Sequence, residues 1–216
     1  MPSLAAIEAA ARNVYAAMSP TPQYAWPLLA ARTGCEVWVK HENHTPTGAF
    51  KVRGGLNLLA GLASATPRCA GVISATRGNH GQSIALAAAR ARIPATIYVP
   101  RGNSVDQNSA MRGFGATVVE IGDDFDQARE EAARVAAERE LHFVPSFHAD
   151  LVRGVASYAL ELFAAAELDV VYVGIGMGSG ICGLLTARDV LGLRTEIVGV
   201  VSEHAPAMAL SLAAGR

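Results

Sequence analysis

The apolar positions of this chain change period repeatedly, and each change marks an expected element. Residues 4–18 read as a helix that ends at Ser19-Pro20-Thr21-Pro22, where two prolines impose an extended path. A short strand is expected at 36–41, with Val37 and Val39 on one face and Trp38 on the other. Leu56, Leu58, Leu59 and Leu62 then support a helix that opens near Lys51. From there strand and helix alternate: strands at 70–74, 95–99 and 117–121, and helices at 81–92 and 105–114. Asp123 and Asp124 can cap the next helix, whose Phe125, Ala128, Val135 and Ala136 share a face. A helix at 151–166 presents Val152, Val155, Ala159, Leu162 and Phe163. The uninterrupted apolar run 170–173 predicts a strand buried on both faces, followed by a helix at 179–190 and a strand at 195–201. Such alternation, without internal repeat or low-complexity segment, predicts an α/β protein built on a parallel sheet.

Composition narrows the function classes. The chain has 216 residues, 51% of them apolar, enough for one or two domains with a real core. A formal charge of -1 excludes the broadly basic surface that nucleic-acid binding requires. No stretch is long and apolar enough for a membrane span, and Glu8 and Arg12 interrupt the alanine-rich opening, so no signal peptide is expected. Cys35, Cys69 and Cys182 are scattered and odd in number, which fits reduced thiols in a cytoplasm better than disulfides or a zinc site.

Three loops carry the chemistry. Ser74-Ala75-Thr76-Arg77-Gly78-Asn79-His80-Gly81-Gln82 lies between an expected strand and helix, where ligands collect in open parallel sheets. Its small residues let amides approach an anion such as a carboxylate, and the helix start adds positive potential. Equally, Asn79 can simply cap the helix while His80 packs against it. Gly174-Ile175-Gly176-Met177-Gly178-Ser179-Gly180 follows the apolar strand and reads as a phosphate cradle. The GxGxxG match from Gly178 to Gly183 is a weak dinucleotide signal, since Glu196 is poorly placed as its acidic partner, and no Walker pattern is present. The third loop delivers Lys51 behind a Pro-Thr-Gly turn and Phe50. An amine able to form a Schiff base, a phosphate cradle and ring-steering polar groups are the parts that pyridoxal 5′-phosphate needs.

Together the three segments resemble those of the fold-type II pyridoxal-phosphate enzymes, within them the serine/threonine dehydratase group. Thr47-Gly48-Ala49-Phe50-Lys51-Val52-Arg53-Gly54 is similar to the group's lysine motif, Arg77-Gly78-Asn79-His80-Gly81-Gln82 to its asparagine loop, and Gly176-Met177-Gly178-Ser179-Gly180 stands at its tetraglycine. The resemblance implies a two-domain fold like that of the tryptophan synthase β chain. Residues 1–49 with 147–216 would form a larger, incomplete cofactor domain, and 50–146 a smaller one. It implies that Lys51 binds the cofactor covalently and moves protons at the substrate Cα, and that Phe50 backs the ring while Asn79 bonds its hydroxyl. Gly176, Met177, Gly178, Ser179 and Gly180 would hold the phosphate. Ser74, Thr76, Arg77, Gly78, Asn79 and His80 would take the substrate carboxylate.

The implied reaction is β-elimination from a hydroxy amino acid such as L-threonine or L-serine, giving a 2-oxo acid and ammonia, in an enzyme that is commonly dimeric. Arg77 occupies the position where serine racemase has a serine, which favours elimination over racemisation. Val201 and Ala207 stand where a racemase-like metal site would have carboxylates, so no metal is expected. The resemblance also implies that the family's last strands, with the Ser, Thr or Cys that bonds the pyridine nitrogen, are missing from this chain, so that it is either a fragment or truncated product or has its sheet completed by something else. Two other readings are a non-catalytic module that keeps the fold, and a nucleotide-binding domain that uses only the Gly176 loop.

Overall fold

The computed structural model describes residues 2–215. Its most regular part is a four-stranded parallel sheet of β3 (Val72–Ala75), β4 (Ala95–Val99), β5 (Thr117–Glu120) and β6 (His142–Val144), in the spatial order β5-β4-β3-β6. The period-2 alternation sorts side chains onto two buried faces. Val72, Ile97 and Val99 pack with α3 (Lys51–Ser64), α4 (Asn79–Ala91) and Met111 of α5 (Val105–Gly113). Ile73, Ala75 and Tyr98 face Ala132, Val135 and Ala136 of α6 (Phe125–Glu138). The chain runs outward from β3 to β5 and then returns to the opposite side of β3, so strand order reverses between β3 and β6. That reversal opens a crevice at the carboxyl ends of β3 and β6, the place where α/β sheets bind ligands.

A second layer holds α1 (Leu4–Tyr15), α7 (Ala149–Ala165), α8 (Ser179–Val190) and the parallel pair β7 (Val170–Gly174) and β8 (Glu196–Val200). Val171, Val173 and Ile197 pack on Val155, Ala159 and Leu184. The outward face of β7 is open, with Tyr172 73% exposed. The expectation of a strand buried on both faces is therefore corrected: the 170–173 run is covered by helices on one side only. A short antiparallel pair, β1 (Gln23–Ala25) and β2 (Trp38–Lys40), completes the sheets. Between β2 and β7 lies a slot of about 870 Å³ with Phe50, Tyr158, Leu162 and Leu184 among its walls.

Boundaries move by a few residues, and besides a single 3-10 turn at Glu42–His44 three short elements appear that periodicity does not announce. These are β1, β6 and α2 (Pro27–Thr33), although α2 carries end signals, Pro27 at its first turn and Gly34 at φ 74 as its left-handed stop. Asp124 caps α6 by accepting from the Gln127 amide at 2.9 Å, while Gln127 reaches back to the Asp123 amide at 3.1 Å. The last helix is α9 (Ala207–Ala213). Among the described residues no helix is long and apolar enough to cross a membrane.

Helix α3 is the element that the two layers share. A Cβ on Gly54 would lie 2.8 Å from the Leu151 carbonyl oxygen of α7, and one on Gly55 would lie 2.3 Å from Ser83 Oγ of α4. From the other side, a Cβ on Gly154 of α7 would come 2.3 Å from the Arg53 carbonyl oxygen. Backbones approach this closely only where no side chain intervenes, so these glycines set the position of α3 and with it that of Lys51.

Candidate active site

Lys51 is the first residue of α3, and its Nζ donates to Ser179 Oγ at 2.6 Å. These two residues are 128 positions apart, and their contact joins the lysine loop to the glycine loop. Ser83 Oγ donates to the Lys51 carbonyl at 2.6 Å, which anchors the backbone on the α4 side. Burial lowers the Lys51 pKa, because a partly desolvated amine favours its neutral form. Phe50 lies behind it, with Nζ 5.4 Å from the ring centroid.

The glycine loop has the shape of an anion cradle. Gly178 adopts φ 92, a left-handed turn that favours glycine, and α8 starts at the next residue with Ser179 only 1% exposed. Gly180 packs on Phe50, where a Cβ would stand 3.2 Å from the ring, and Tyr158 donates to the Gly180 carbonyl at 2.9 Å. Gly176 and Met177 are exposed, and nothing would contact a Cβ on Gly176. Gly183, the third glycine of the GxGxxG match, serves packing: a Cβ there would lie 3.1 Å from the Ala156 amide.

The other loop divides into a buried base and an exposed rim. Arg77 and Asn79 are exposed, while Ser74, Thr76 and His80 are buried. Asn79 opens α4, but Gly78 is the cap residue and no side chain caps this helix, so the capping role considered for Asn79 is absent. Thr76 Oγ1 accepts from the Gly78 amide at 3.0 Å. Ser74 Oγ donates to the Val144 carbonyl at 2.8 Å and lies 3.1 Å from His80 Nε2, which places both side chains behind the loop. Gly81 permits this, since a Cβ would meet Met111 Sδ at 2.3 Å and Thr76 Cγ2 at 2.4 Å. His148 is a helix cap: its Nδ1 accepts from the Asp150 amide at 3.2 Å.

Burial, reinforced by the charge of Lys51, pushes the His80 pKa down to about 4. The unfolded chain therefore takes up this proton first on acidification, and the stability contributed by a neutral His80 is lost as pH falls from about 6.5 towards 4. Denaturant melts at pH 7 and pH 5 are expected to show a smaller acid-induced loss for His80→Gln than for the wild type. Equal losses would mean that His80 titrates normally.

One cluster beside the site escapes the motif reading. Arg53, fully buried, donates from Nε to Glu42 Oε2 at 2.7 Å, from Nη1 to Glu161 Oε1 at 2.6 Å and from Nη2 to Glu42 Oε1 at 2.8 Å. Ser157 and Thr21 accept further bonds from the guanidinium. Lys40 pairs with Glu161 at 2.6 Å, so two cations face two carboxylates in a neutral set. Burial alone would raise the Glu161 pKa, but Arg53 and Lys40 outweigh it and hold the carboxyl below its usual range. The signal available in the sequence was an arginine followed directly by two glycines at the start of α3.

The shared sheet reversal, the desolvated lysine and the cradle agree with the comparisons to known proteins. Residues 14–216 match the pyridoxal-phosphate dependent enzyme family, and the chain belongs to it. Over 206 residues it is 33% identical to the biosynthetic L-threonine dehydratase of Pasteurella multocida, covering 94% of this chain and 40% of that protein. It is 38% identical over 186 residues to an L-threo-3-hydroxyaspartate ammonia-lyase from Pseudomonas sp, covering 85% and 58%. A crystal structure of a pyridoxal 5′-phosphate-dependent aspartate racemase superimposes with a TM-score of 0.92 at 25% identity, covering all of this chain and 68% of that one. The chain thus spans less than two thirds of the length of these curated relatives. The family establishes the tryptophan synthase β-like fold class and pyridoxal 5′-phosphate as the cofactor.

The residues present fit that group. A buried serine hydroxyl at a helix start supplies phosphate donors, and a partly desolvated amine lies within hydrogen-bond distance of the same serine.

Proposed function

We propose that this chain carries the catalytic half of an ammonia-lyase that eliminates the β-hydroxyl of a hydroxy amino acid such as L-threonine or L-serine. The products are a 2-oxo acid and ammonia. The observation that carries this reading is the 2.6 Å bond between Lys51 Nζ and Ser179 Oγ, which brings a depressed-pKa amine to the mouth of an anion cradle. Lys51 would hold the cofactor covalently and serve as the base at the substrate Cα, a role that suits a lysine whose neutral form is favoured. Gly176, Gly178, Ser179 and Gly180 would bind the phosphate, with Met177 at the rim, and Phe50 would wall the ring. Asn79, exposed at the start of α4, would reach the ring hydroxyl. Thr76 and the amides of the loop would orient the carboxylate. The bound cofactor supplies the electron-withdrawing ring that makes Cα–H loss feasible.

Arg77 supports elimination over racemisation, because no serine is present there to return a proton from the opposite face. The exposed side of the β7–β8 pair, with Val170, Tyr172 and Val200, supports association into a homo-oligomer. A second reading is that the chain binds cofactor without turning substrate over. The open slot between β2 and β7, which reaches Phe50, favours it by admitting water to the ring-facing wall.

Absorbance at the edge of the visible range after reconstitution, abolished by borohydride and by Lys51→Ala, is the decisive measurement. Release of 2-oxo acid from L-threonine or L-serine establishes the lyase. A band without turnover supports the second reading, formation of the D-amino acid overturns the assignment to elimination, and absence of any band overturns both cofactor readings.

A further inference from the structure

The hydroxyl of Ser74 has a single proton and two neighbours. Val144 offers a carbonyl at 2.8 Å, which can only accept, so the Ser74 proton is directed there. Ser74 Oγ is left as an acceptor towards the ring nitrogen of His80 at 3.1 Å, and Nε2 must therefore carry the hydrogen. The ring is buried and the charged group that faces it is Lys51, and together these outweigh the one neighbour that favours a second proton, the Val144 carbonyl. Ser74 and Val144 are paired residues of β3 and β6, the two strands between which strand order reverses. His80 is the second residue of α4, directly after the loop. The chain Val144–Ser74–His80 thus ties together the three elements that border the crevice.

We propose that His80 is a positioning residue, an uncharged Nε2–H donor that braces loop 76–79 across the β3–β6 junction, and that neither its ring nor the Ser74 hydroxyl binds the ligand carboxylate. This rests on the reading given above and sharpens it: the anion-binding set shrinks to Thr76, Asn79 and backbone amides. The Gly78 amide is spent on Thr76 Oγ1, and the Gly81 amide on the Gly78 carbonyl. Among the described residues, the amides of Asn79 and His80, at the helix start, have no backbone acceptor. The brace holds these two amides in place. A hydroxyl and an imidazole drawn into a buried, mutually satisfied pair are poor partners for a carboxylate, since binding would break both bonds.

The first test needs no cofactor. Nitrogen-15 correlation spectra of the histidines in the full chain are expected to show His80 as the neutral Nε2–H tautomer throughout pH 5.5 to 8 (about one to two units above its lowered pKa at the acid end). A ring protonated at pH 6, or hydrogenated at Nδ1, overturns the proposal. The second test uses the reconstituted chain titrated with L-threonine and read by the cofactor absorbance. His80→Leu is expected to weaken binding about tenfold, the cost of a lost hydrogen bond, while His80→Gln, which keeps an N–H within reach of Ser74, stays within about threefold of the wild type. Equal weakening by both variants, or unchanged binding in His80→Leu, overturns the brace. Should the wild type show no cofactor band, the functional reading fails, and the nitrogen spectra alone then decide the brace.

Discussion

Replacing Arg53 with methionine is expected to lower the unfolding free energy by about 3–5 kcal/mol, because it leaves the largely buried carboxylates of Glu42 and Glu161 with Lys40 as their remaining cation, beside neutral donors from Tyr15 and Thr21. The loss is an electrostatic one and not a loss of volume. It follows that Arg53→Met combined with Glu42→Gln and Glu161→Gln recovers much of it, since a cluster without charge has no unpaired ion to bury. Arg53→Lys is not expected to substitute. One ammonium cannot span the two carboxylates that the guanidinium fork engages at 2.6–2.8 Å. Urea unfolding at pH 7 measures all three variants, and a loss below about 1 kcal/mol for Arg53→Met would show that water or a rearranged Lys40 compensates.

The second large effect is steric. Gly154→Ala places a methyl group 2.3 Å from the Arg53 carbonyl oxygen, 2.8 Å from Asn57 Cβ and 2.9 Å from Gly54 Cα. Two of these three neighbours are backbone atoms, so relief requires α3 and α7 to move apart as rigid units. Overpacking of this kind costs about 1–3 kcal/mol. The displaced helix also carries Lys51, so cofactor affinity is expected to fall along with the melting temperature. Gly61→Ala, on the same helix with nothing near its added Cβ, is the control and is expected to stabilise slightly. If Gly154→Ala melts normally and retains cofactor, the close crossing of α3 and α7 is not what positions the lysine.

What the sequence showed and what it hid divide along physical lines. Elements with several turns or a doubly covered strand were legible: β4 and α8 fall where periodicity puts them, at Ala95–Val99 and Ser179–Val190. Three-residue strands such as β1 and β6 carry too few positions to establish a period, and they exist because partners at Trp38–Lys40 and Val72–Ser74 pair with them. The strand at 170–173 was misjudged for a different reason. A continuous apolar run states that burial is favourable, but not that a second layer is available on the outer side of Tyr172.

The candidate site shows the same division. Lys51, the glycine loop and the Asn79 loop were local patterns and could be read one by one. Their partners could not, since the 2.6 Å contact of Lys51 with Ser179 depends on the tertiary fold. Charged residues are ordinarily solvated, so an arginine two positions after the lysine drew no attention until its six acceptor contacts placed it at the centre of a buried set. Ser74 and His80 illustrate the reverse case. Both have the right chemistry for a ligand, yet hydrogen bonding to Val144 has already claimed the serine.

The placement of α3 between α4 and α7 has a mechanical meaning. When one body turns against another, an atom is displaced in proportion to its distance from the turning axis, and the near contact of backbones at Gly54 and Gly55 makes α3 the natural axle for the two sheet layers. Lys51, at the end of that axle, has a short lever arm. The loops of Asn79 and Met177 lead into α4 and α8, in the two layers that flank α3, so the anchor proposed at Lys51 would move less than these loops if the layers turned.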